Sequence, residues 1–433
     1  MDDQNTVPLF YSSLHLAHAP QIEFLNGTVV EYAERPQRIE KIREKLQASG
    51  LVHVIEPQTL ISKSELALVH RRGMIDYLEH VSHNIDRYLI GPDVAPSIRR
   101  IMPEQDYFYP YVFPPKPSKK SRRASGLQPH QRFYCFDLGS PIGRHTWAAA
   151  RAAATVAAEG ASWLLQRRAR TVYALCRPPG HHAGPDFFGG YCYLNNAAIA
   201  TRRLLEEGKV AIVDVDYHHG NGTQAIFWQN PRVFFGSIHA DPGIDYPFYS
   251  GFGDEIGGRK ARWTNLNLPL AAGADGFSYL CALERILNCV SDFGADFLVV
   301  SLGFDAFEAD PYGLFKLTVK DYQTIGAQFA RLGLPTLLVQ EGGYAVDALG
   351  VLACALIEGV LGQPAGRSGF LSQTEIAQSG RRFRAVRPIS RSRASMFRIA
   401  MLSGGIGRRR NQPLARLKRG RYGRVAPDCA RIE

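Results

Sequence analysis

The chain lacks any apolar stretch approaching the ~18–20 residues that span a bilayer, which excludes a transmembrane helix. Its first ten residues, MDDQNTVPLF, carry no apolar core of the kind that marks a secretory signal. Cysteine is scarce and unpatterned. The seven (Cys135, Cys176, Cys192, Cys281, Cys289, Cys354 and Cys429) are odd in number and form no CxxC pair. That argues against a disulfide framework or a thiolate zinc site and for free thiols in the cytoplasm. No internal repeat is present. With 45% hydrophobic and 21% charged residues, 41 Gly and 26 Pro, the 433-residue chain is neither collagen-like, coiled-coil nor wholly disordered. Its length suits one large α/β domain or two modest ones.

Acidic residues are what the C-terminal segment lacks. Residues 363–433 hold 17 of the 51 Lys+Arg but 3 of the 40 Asp+Glu, a net charge of +14. The other 362 residues carry −3, so the overall +11 says little about the substrate of the main body. Residues 1–362 are expected to form the main folded domain, and 363–433 a basic, disordered tail. The tail's Arg clusters at 381–384 and 408–410 suit non-specific phosphate contacts, so nucleic acid is a partner only through this segment. An extension without a role fits the same composition and is the preferred reading.

Short apolar runs recur at 171–177, 210–216, 233–239, 264–270, 296–305 and 336–343. Helical patterns fall at 194–207, 276–293, 318–332 and 345–361. This alternation predicts a parallel sheet with helices on both faces. The first 90 residues add an edge strand near 8–12 and helices at 37–49 and 64–83. Residues 91–144, rich in Pro and aromatics and including KPSKKSRR (116–123), read as a long loop.

In an open parallel sheet, ligands gather at the carboxyl ends of the strands. Here those ends read RPPGHHAG, DVDYHHGNG, GFD and EGGY. Asp216 and His218, two apart at a strand end, can project to one side, and Asp305 can join them from another strand. Two carboxylates and an imidazole suit a divalent metal that activates water. Alone, an Asp-x-His pair would as readily cap a helix or form a buried ion pair. His181 and His182 in a Gly-flanked turn suit proton transfer, because imidazole changes protonation near neutrality. Asp214 and Asn221 are candidate partners, one charged and one neutral, which would separate the two pKa values. Gly342 and Gly343 permit a sharp turn that would aim the Tyr344 phenol as an oxyanion donor.

The ordered motifs RPPGHHAG, FGGYCYLNNAAIA, VAIVDVDYHHGNGTQAIF, SIHADP, NLNLPL, VVSLGFDAFEADP, FKLTVKDY and EGGY resemble the zinc-dependent deacetylases of the arginase–deacetylase (histone deacetylase) superfamily. GFDAFEADP and FKLTVKDY look most like its acetylpolyamine amidohydrolase branch. The resemblance covers roughly residues 8–362. It implies an α/β fold with a central, mostly parallel sheet of about eight strands, helices on both faces and long active-site loops. It also implies Zn²⁺ on Asp216, His218 and Asp305, with Fe²⁺ or Co²⁺ as substitutes on so oxygen-rich a ligand set. The tandem catalytic histidines would be His181 and His182, supported by Asp214 and Asn221, with His182 taking a proton from water and Tyr344 polarising the amide carbonyl. Tyr191 and Tyr246 would wall a narrow tunnel, with Gly190 leaving room between them. K⁺ would sit near backbone oxygens of Asp214, Asp216 and His218 and the Ser237 hydroxyl. Arg38 either lines an internal cavity that releases acetate or forms a surface ion pair.

The implied activity is removal of acetyl groups from amines such as N-acetylputrescine or N-acetylcadaverine, giving acetate and free amine. The alternative within the same chemistry is a protein-lysine, histone-like deacetylase. Relatives in this branch are commonly dimers. Where they often carry acidic residues in the loop before the tandem histidines, this chain has KPSKKSRR, and the later stretch GLQPHQRFYCFDLGSPI offers only Asp137; the difference bears on the amine and not on the deacetylation chemistry.

Overall fold

The computed structural model describes residues 6–89, 106–113 and 134–363. The chain divides into units 1–386 and 387–433, and every described residue belongs to the first. The basic run 116–123 and the tail beyond Gln363 therefore lie outside the described residues.

The segments VAIVD and FLVVSL offer water no polar face, and both are buried at every residue. They belong to a set of twelve strands among the described residues: β1 (Val7–Phe10), β2 (Ile22–Leu25), β3 (Thr28–Glu31), β4 (Val52–Ile55), β5 (Tyr107–Phe108), β6 (Ile142–Gly143), β7 (Thr171–Ala174), β8 (Val210–Asp214), β9 (Val233–Ala240), β10 (Asn265–Leu270), β11 (Phe297–Leu302) and β12 (Thr336–Gln340). Eight form one sheet in the order β10-β9-β8-β11-β12-β7-β1-β4, and each ladder is parallel. β2–β3 and β5–β6 are separate antiparallel pairs.

Alternate residues of each strand feed two cores. Val210 and Ile212 face one, with the helices Arg72–His83, Thr146–Leu165 and Asn196–Leu204. Ala211 and Val213 face the other, with the helices Gln37–Ser49, Gly276–Phe293, Val319–Arg331 and Val346–Val360. Both faces of the sheet are covered, as the alternating pattern predicts. Among the described residues, no helix is long and apolar enough to cross a membrane.

Two expectations need correction, and one helix was missed. The strand near 8–12 is not an edge: β1 pairs with both β7 and β4, and the edge is β4. The helix expected over 64–83 is two, Lys63–Leu66 and Arg72–His83, because Ser62 and Glu65 close a capping box and the chain then turns before restarting after Arg71. The helix Thr146–Leu165 was not foreseen. Its Ala-rich sequence has little amphipathic contrast, since it is enclosed on most sides, and a Cβ on Gly160 would stand 2.7 Å from Leu337 Cδ1 of β12.

Candidate active site

β8 stops at Asp214 and β11 at Leu302, so Asp216, His218 and Asp305 lie just beyond their strand ends and not on them. The strand direction persists to Val215, whose N–H donates to Ser301 O. Asp214 then accepts the Asp216 N–H (3.2 Å), and Asp216 accepts the His218 N–H (2.9 Å). These two Asx turns carry the chain across the sheet edge. They, and not strand alternation, bring Asp216 and His218 together.

Asp305 arrives from the neighbouring strand. One of its oxygens accepts the Tyr217 N–H (2.9 Å), and the other lies 3.1 Å from His218 Nδ1. Asp216 Oδ1 is 3.3 Å from the same nitrogen. Donor atoms of Asp216, His218 and Asp305 thus lie within 4.8 Å of one another. Burial disfavours a charged His218, yet the two carboxylates outweigh it and hold its pKa well above the ordinary value. Such crowding of anionic oxygen calls for positive charge at its centre. A divalent cation on two oxygens and one nitrogen fits this donor set.

A second trio, His181, Cys192 and Glu341, is comparably close. There Glu341 is already engaged by the N–H groups of Gly180 (2.6 Å) and His181 (3.1 Å), while burial pushes the Cys192 thiol up and keeps it protonated. It braces the turn that carries the histidines.

His181 and His182 follow β7, with ring centroids 4.0 Å apart. The His181 Nδ1–H donates to Asp214 (3.1 Å), and the His182 Nδ1–H donates to Asn221 Oδ1 (2.7 Å). The Asn221 amide is oriented by its own donation to the Tyr249 hydroxyl (2.6 Å). Burial disfavours charge on both rings, but at His181 the carboxylates of Asp216 and Asp214 overcome it, and its pKa rises to about 10. His182 has burial and the neighbouring His181 and His218 charges against it, and falls well below 6.5. One ring is therefore cationic at neutrality. The other is neutral, with its Nε2 lone pair available as a base.

Tyr344 stands at the end of EGGY. Gly342 must lack a side chain because a Cβ would strike both Asp305 and Asp216; instead its N–H donates to Asp216 (2.8 Å). The Tyr344 ring lies 5.7 Å from Tyr191 and 5.0 Å from Tyr312, with the Arg38 guanidinium 4.8 Å over its face. Burial drives the phenol well above 10 despite that cation, so it remains a proton donor.

Arg38 is fully buried. It pairs with Glu34 (2.7 Å) and donates to Glu341 O (2.8 Å) and Gly343 O, which removes the surface reading and ties the EGGY turn to the helix Gln37–Ser49. Gly190 sits at φ +56, where a Cβ would lie 2.5 Å from His182 Cδ2 and 2.7 Å from the Tyr246 hydroxyl. Tyr246 packs 4.9 Å from His182, and Tyr191 lies on the Tyr344 side. Ser237 is in register with Asp214 and bonds His239 Nδ1 (2.8 Å), while His239 Nε2 donates to Gly251 O (2.8 Å). That tautomer makes Ser237 the donor and leaves its oxygen lone pairs free of the ring.

Four neighbours of the site were not among the expected site residues: Glu23, Asp137, Asp310 and Tyr312, although Asp310 lies within the motif GFDAFEADP and Tyr312 directly follows it. Glu23 accepts from the hydroxyls of Tyr191 (2.5 Å) and Tyr312. Asp137 accepts from the Tyr246 hydroxyl (2.7 Å) and Gly190 N–H (2.7 Å). Glu23 is buried and Asp137 partly buried behind the tyrosines.

Known proteins resemble this chain over most of its length. The family model described as "Histone deacetylase domain" matches residues 32–360. Acetylpolyamine amidohydrolase 2 of Pseudomonas aeruginosa is 38% identical over 354 residues, covering 81% of this chain and 98% of the relative. Acetylpolyamine amidohydrolase of Mycoplana ramosa is 36% identical, with 82% and 99% covered. The crystal structure of acetylpolyamine aminohydrolase from Burkholderia pseudomallei superposes with a TM-score of 0.73 at 33% identity, covering 82% of this chain and 99% of that one.

Proposed function

This chain belongs to the histone deacetylase family, and we propose that it hydrolyses small acetylated amines to acetate and free amine by the following division of labour. The observation that carries the reading is the opposed pair of imidazoles, one held cationic by Asp214 and one held neutral beside Asn221, next to the Asp216–His218–Asp305 cluster.

Asp216, His218 and Asp305 would hold the divalent metal, zinc by family habit with Fe²⁺ or Co²⁺ as substitutes. Such an ion supplies Lewis-acid polarisation of an amide carbonyl and acidifies water. His182, neutral and with Nε2 open, receives the proton that the attacking water gives up. His181, already cationic, stabilises the negative charge that builds in the pocket. Tyr344 donates its phenolic hydrogen to the developing oxyanion. The protonated imidazole then returns a proton to the departing nitrogen, so the amine leaves neutral. Ser237 and backbone oxygens near Asp214 and His218 would line a K⁺ site, for which the free Ser237 lone pairs are the support.

Two features favour a small cationic amine. The proposed entrance would be narrow: at Gly190 the His182 and Tyr246 side chains leave no room for even a methyl group. Behind its tyrosine walls stand Glu23, buried, and Asp137, partly buried, and a carboxylate on each side attracts an ammonium group carried on the same short chain as the acetyl group. The relatives named as acetylpolyamine amidohydrolases match nearly end to end. A cytoplasmic homodimer completes the reading. The six described cysteines are free, as in a reducing compartment. The dimer is tested by sedimentation of the purified protein. The substrate assignment is tested with a panel of N-acetylputrescine, N-acetylcadaverine and acetyl-lysine peptides, run with Zn²⁺, Fe²⁺ and Co²⁺. Diamines should be turned over best. Peptides hydrolysed about a hundredfold better than each diamine would sink the small-amine assignment.

A further inference from the structure

We infer that Asp310, through the backbone of Tyr344 and the ring of Tyr312, is the positioning residue that fixes the catalytic phenol relative to the metal cluster. The inference rests on the reading of Tyr344 as oxyanion donor.

Asp310 is 6% exposed. One of its oxygens accepts the N–H groups of both Tyr344 (2.6 Å) and Ala345 (3.0 Å), and the other accepts the N–H of Tyr312 (2.9 Å). A carboxylate out of water is costly unless its hydrogen bonds are made, and here they are made by three backbone donors. Two of those donors immediately precede the helix Val346–Val360, whose positive end favours the same charge.

The placement is what matters for function. Asp310 lies five residues after the cluster residue Asp305, and its own N–H bonds Phe307 O (2.9 Å), so a tight turn joins the two carboxylates. Asp305 addresses the metal cluster while Asp310 addresses the phenol's backbone. On the other side of Tyr344, the Gly342 N–H is held by Asp216. The Tyr344 turn is thus pinned between two aspartates, one of which holds it through the cluster itself. Tyr312, oriented by its bond to Asp310, sends its ring to within 5.0 Å of the Tyr344 ring and its hydroxyl to Glu23, which also receives Tyr191. Tyr344 is therefore fixed at its main chain by Asp310 and bracketed at its ring by two phenols anchored on one carboxylate. An oxyanion donor misplaced by about 1 Å loses about 10²-fold in rate, so this turn sets the separation on which the donor depends.

The test is the near-isosteric Asp310→Asn, in which one N–H acceptor becomes a donor. We expect kcat to fall by about 10- to 100-fold with KM within about threefold, and metal content by elemental analysis to match the wild type. In a Tyr344→Phe background, which has no hydroxyl to misplace, the same substitution should cost less than about twofold. A second variant, Tyr312→Leu, keeps Asp310 and its turn but removes the bracketing ring; its loss in kcat should likewise vanish beside Tyr344→Phe. Equal losses in both backgrounds, loss of metal in step with activity, or a wild-type kcat for Asp310→Asn would overturn the inference. A Tyr344→Phe enzyme as fast as the wild type would overturn the phenol's role itself and this inference with it. A slow Tyr344→Phe with no coupling to Asp310 would overturn only the latter.

Discussion

His182 Nδ1 lies 2.7 Å from Asn221 Oδ1, while the adjacent His181 presents its Nδ1 to the carboxylate of Asp214 at 3.1 Å. Two neighbouring imidazoles of the same chain thus meet partners that differ by one full charge, and their proton affinities separate in opposite directions.

A pH profile reads that separation. With His182 depressed below 6.5 and His181 raised to about 10, the active form, neutral at 182 and cationic at 181, spans neutrality. The acid limb of kcat/KM should lie below 6.5 and the basic limb near the upper value. In Asn221→Asp the new carboxylate favours the cation at His182, so the acid limb should move up by about one unit or more. In Asp214→Asn the His181 cation loses support, and the basic limb should move down.

Removing single groups separates metal holding from oxyanion donation. Asp305→Ala should abolish turnover and most metal binding, measured by elemental analysis, since it deletes one of the three side chains proposed to hold the metal. Tyr344→Phe should retain metal and lose about 10²–10³ in kcat, the usual scale for one oxyanion donor. Wild-type turnover by the phenylalanine variant would remove the role given to this phenol.

Gly190→Ala tests the tunnel. The backbone sits at φ +56, and the added methyl would meet His182 and the Tyr246 hydroxyl. A fall in kcat/KM of about tenfold or more is expected, with thermal unfolding showing the strain of a left-handed alanine. An unchanged kcat/KM would show that the wall is not where substrate passes.

His70 ties stability to pH. Its Nδ1–H donates to Gly184 O (2.8 Å) and its Nε2 accepts the Asn195 N–H (2.9 Å), so the ring must be neutral. Burial lowers its pKa to about 4. Between that value and the ordinary 6.5 the unfolded chain binds the proton and the folded one does not, so this contribution is present above 6.5 and is lost as pH falls toward 4. The loss amounts to roughly 3 kcal/mol across the window. Denaturant unfolding of the wild type against His70→Gln should show the variant with the shallower acid dependence; parallel curves would assign the acid sensitivity elsewhere.

Fold class was legible because strands buried on both faces are mostly apolar, and β8, β11 and β12 each hold an apolar run of three or more residues. Thr146–Leu165 was illegible for a related reason, since a helix enclosed on most sides keeps no polar stripe to mark its period. The edge position of β1 was misread because its partner β4, VHVI, is four residues long and only its first residue is fully buried.

By itself the sequence determined which side chains could do chemistry: the twin histidines, Asp214, Asp216, His218, Asn221, Asp305 and Tyr344 fall at strand ends, and a parallel sheet gathers its strand ends on one edge. Tertiary structure alone decided how they meet. Asx turns, not strand alternation, aim Asp216 and His218. Glu23 and Asp137, remote in sequence from the tyrosines they hold, and Asp310, which shares the Asp305 motif but gives no sign there of its target, keep the tyrosines and the catalytic turn in place. Local composition can specify a functional group; a hydrogen bond spanning 168 residues, as between Tyr191 and Glu23, exists only once the chain has folded.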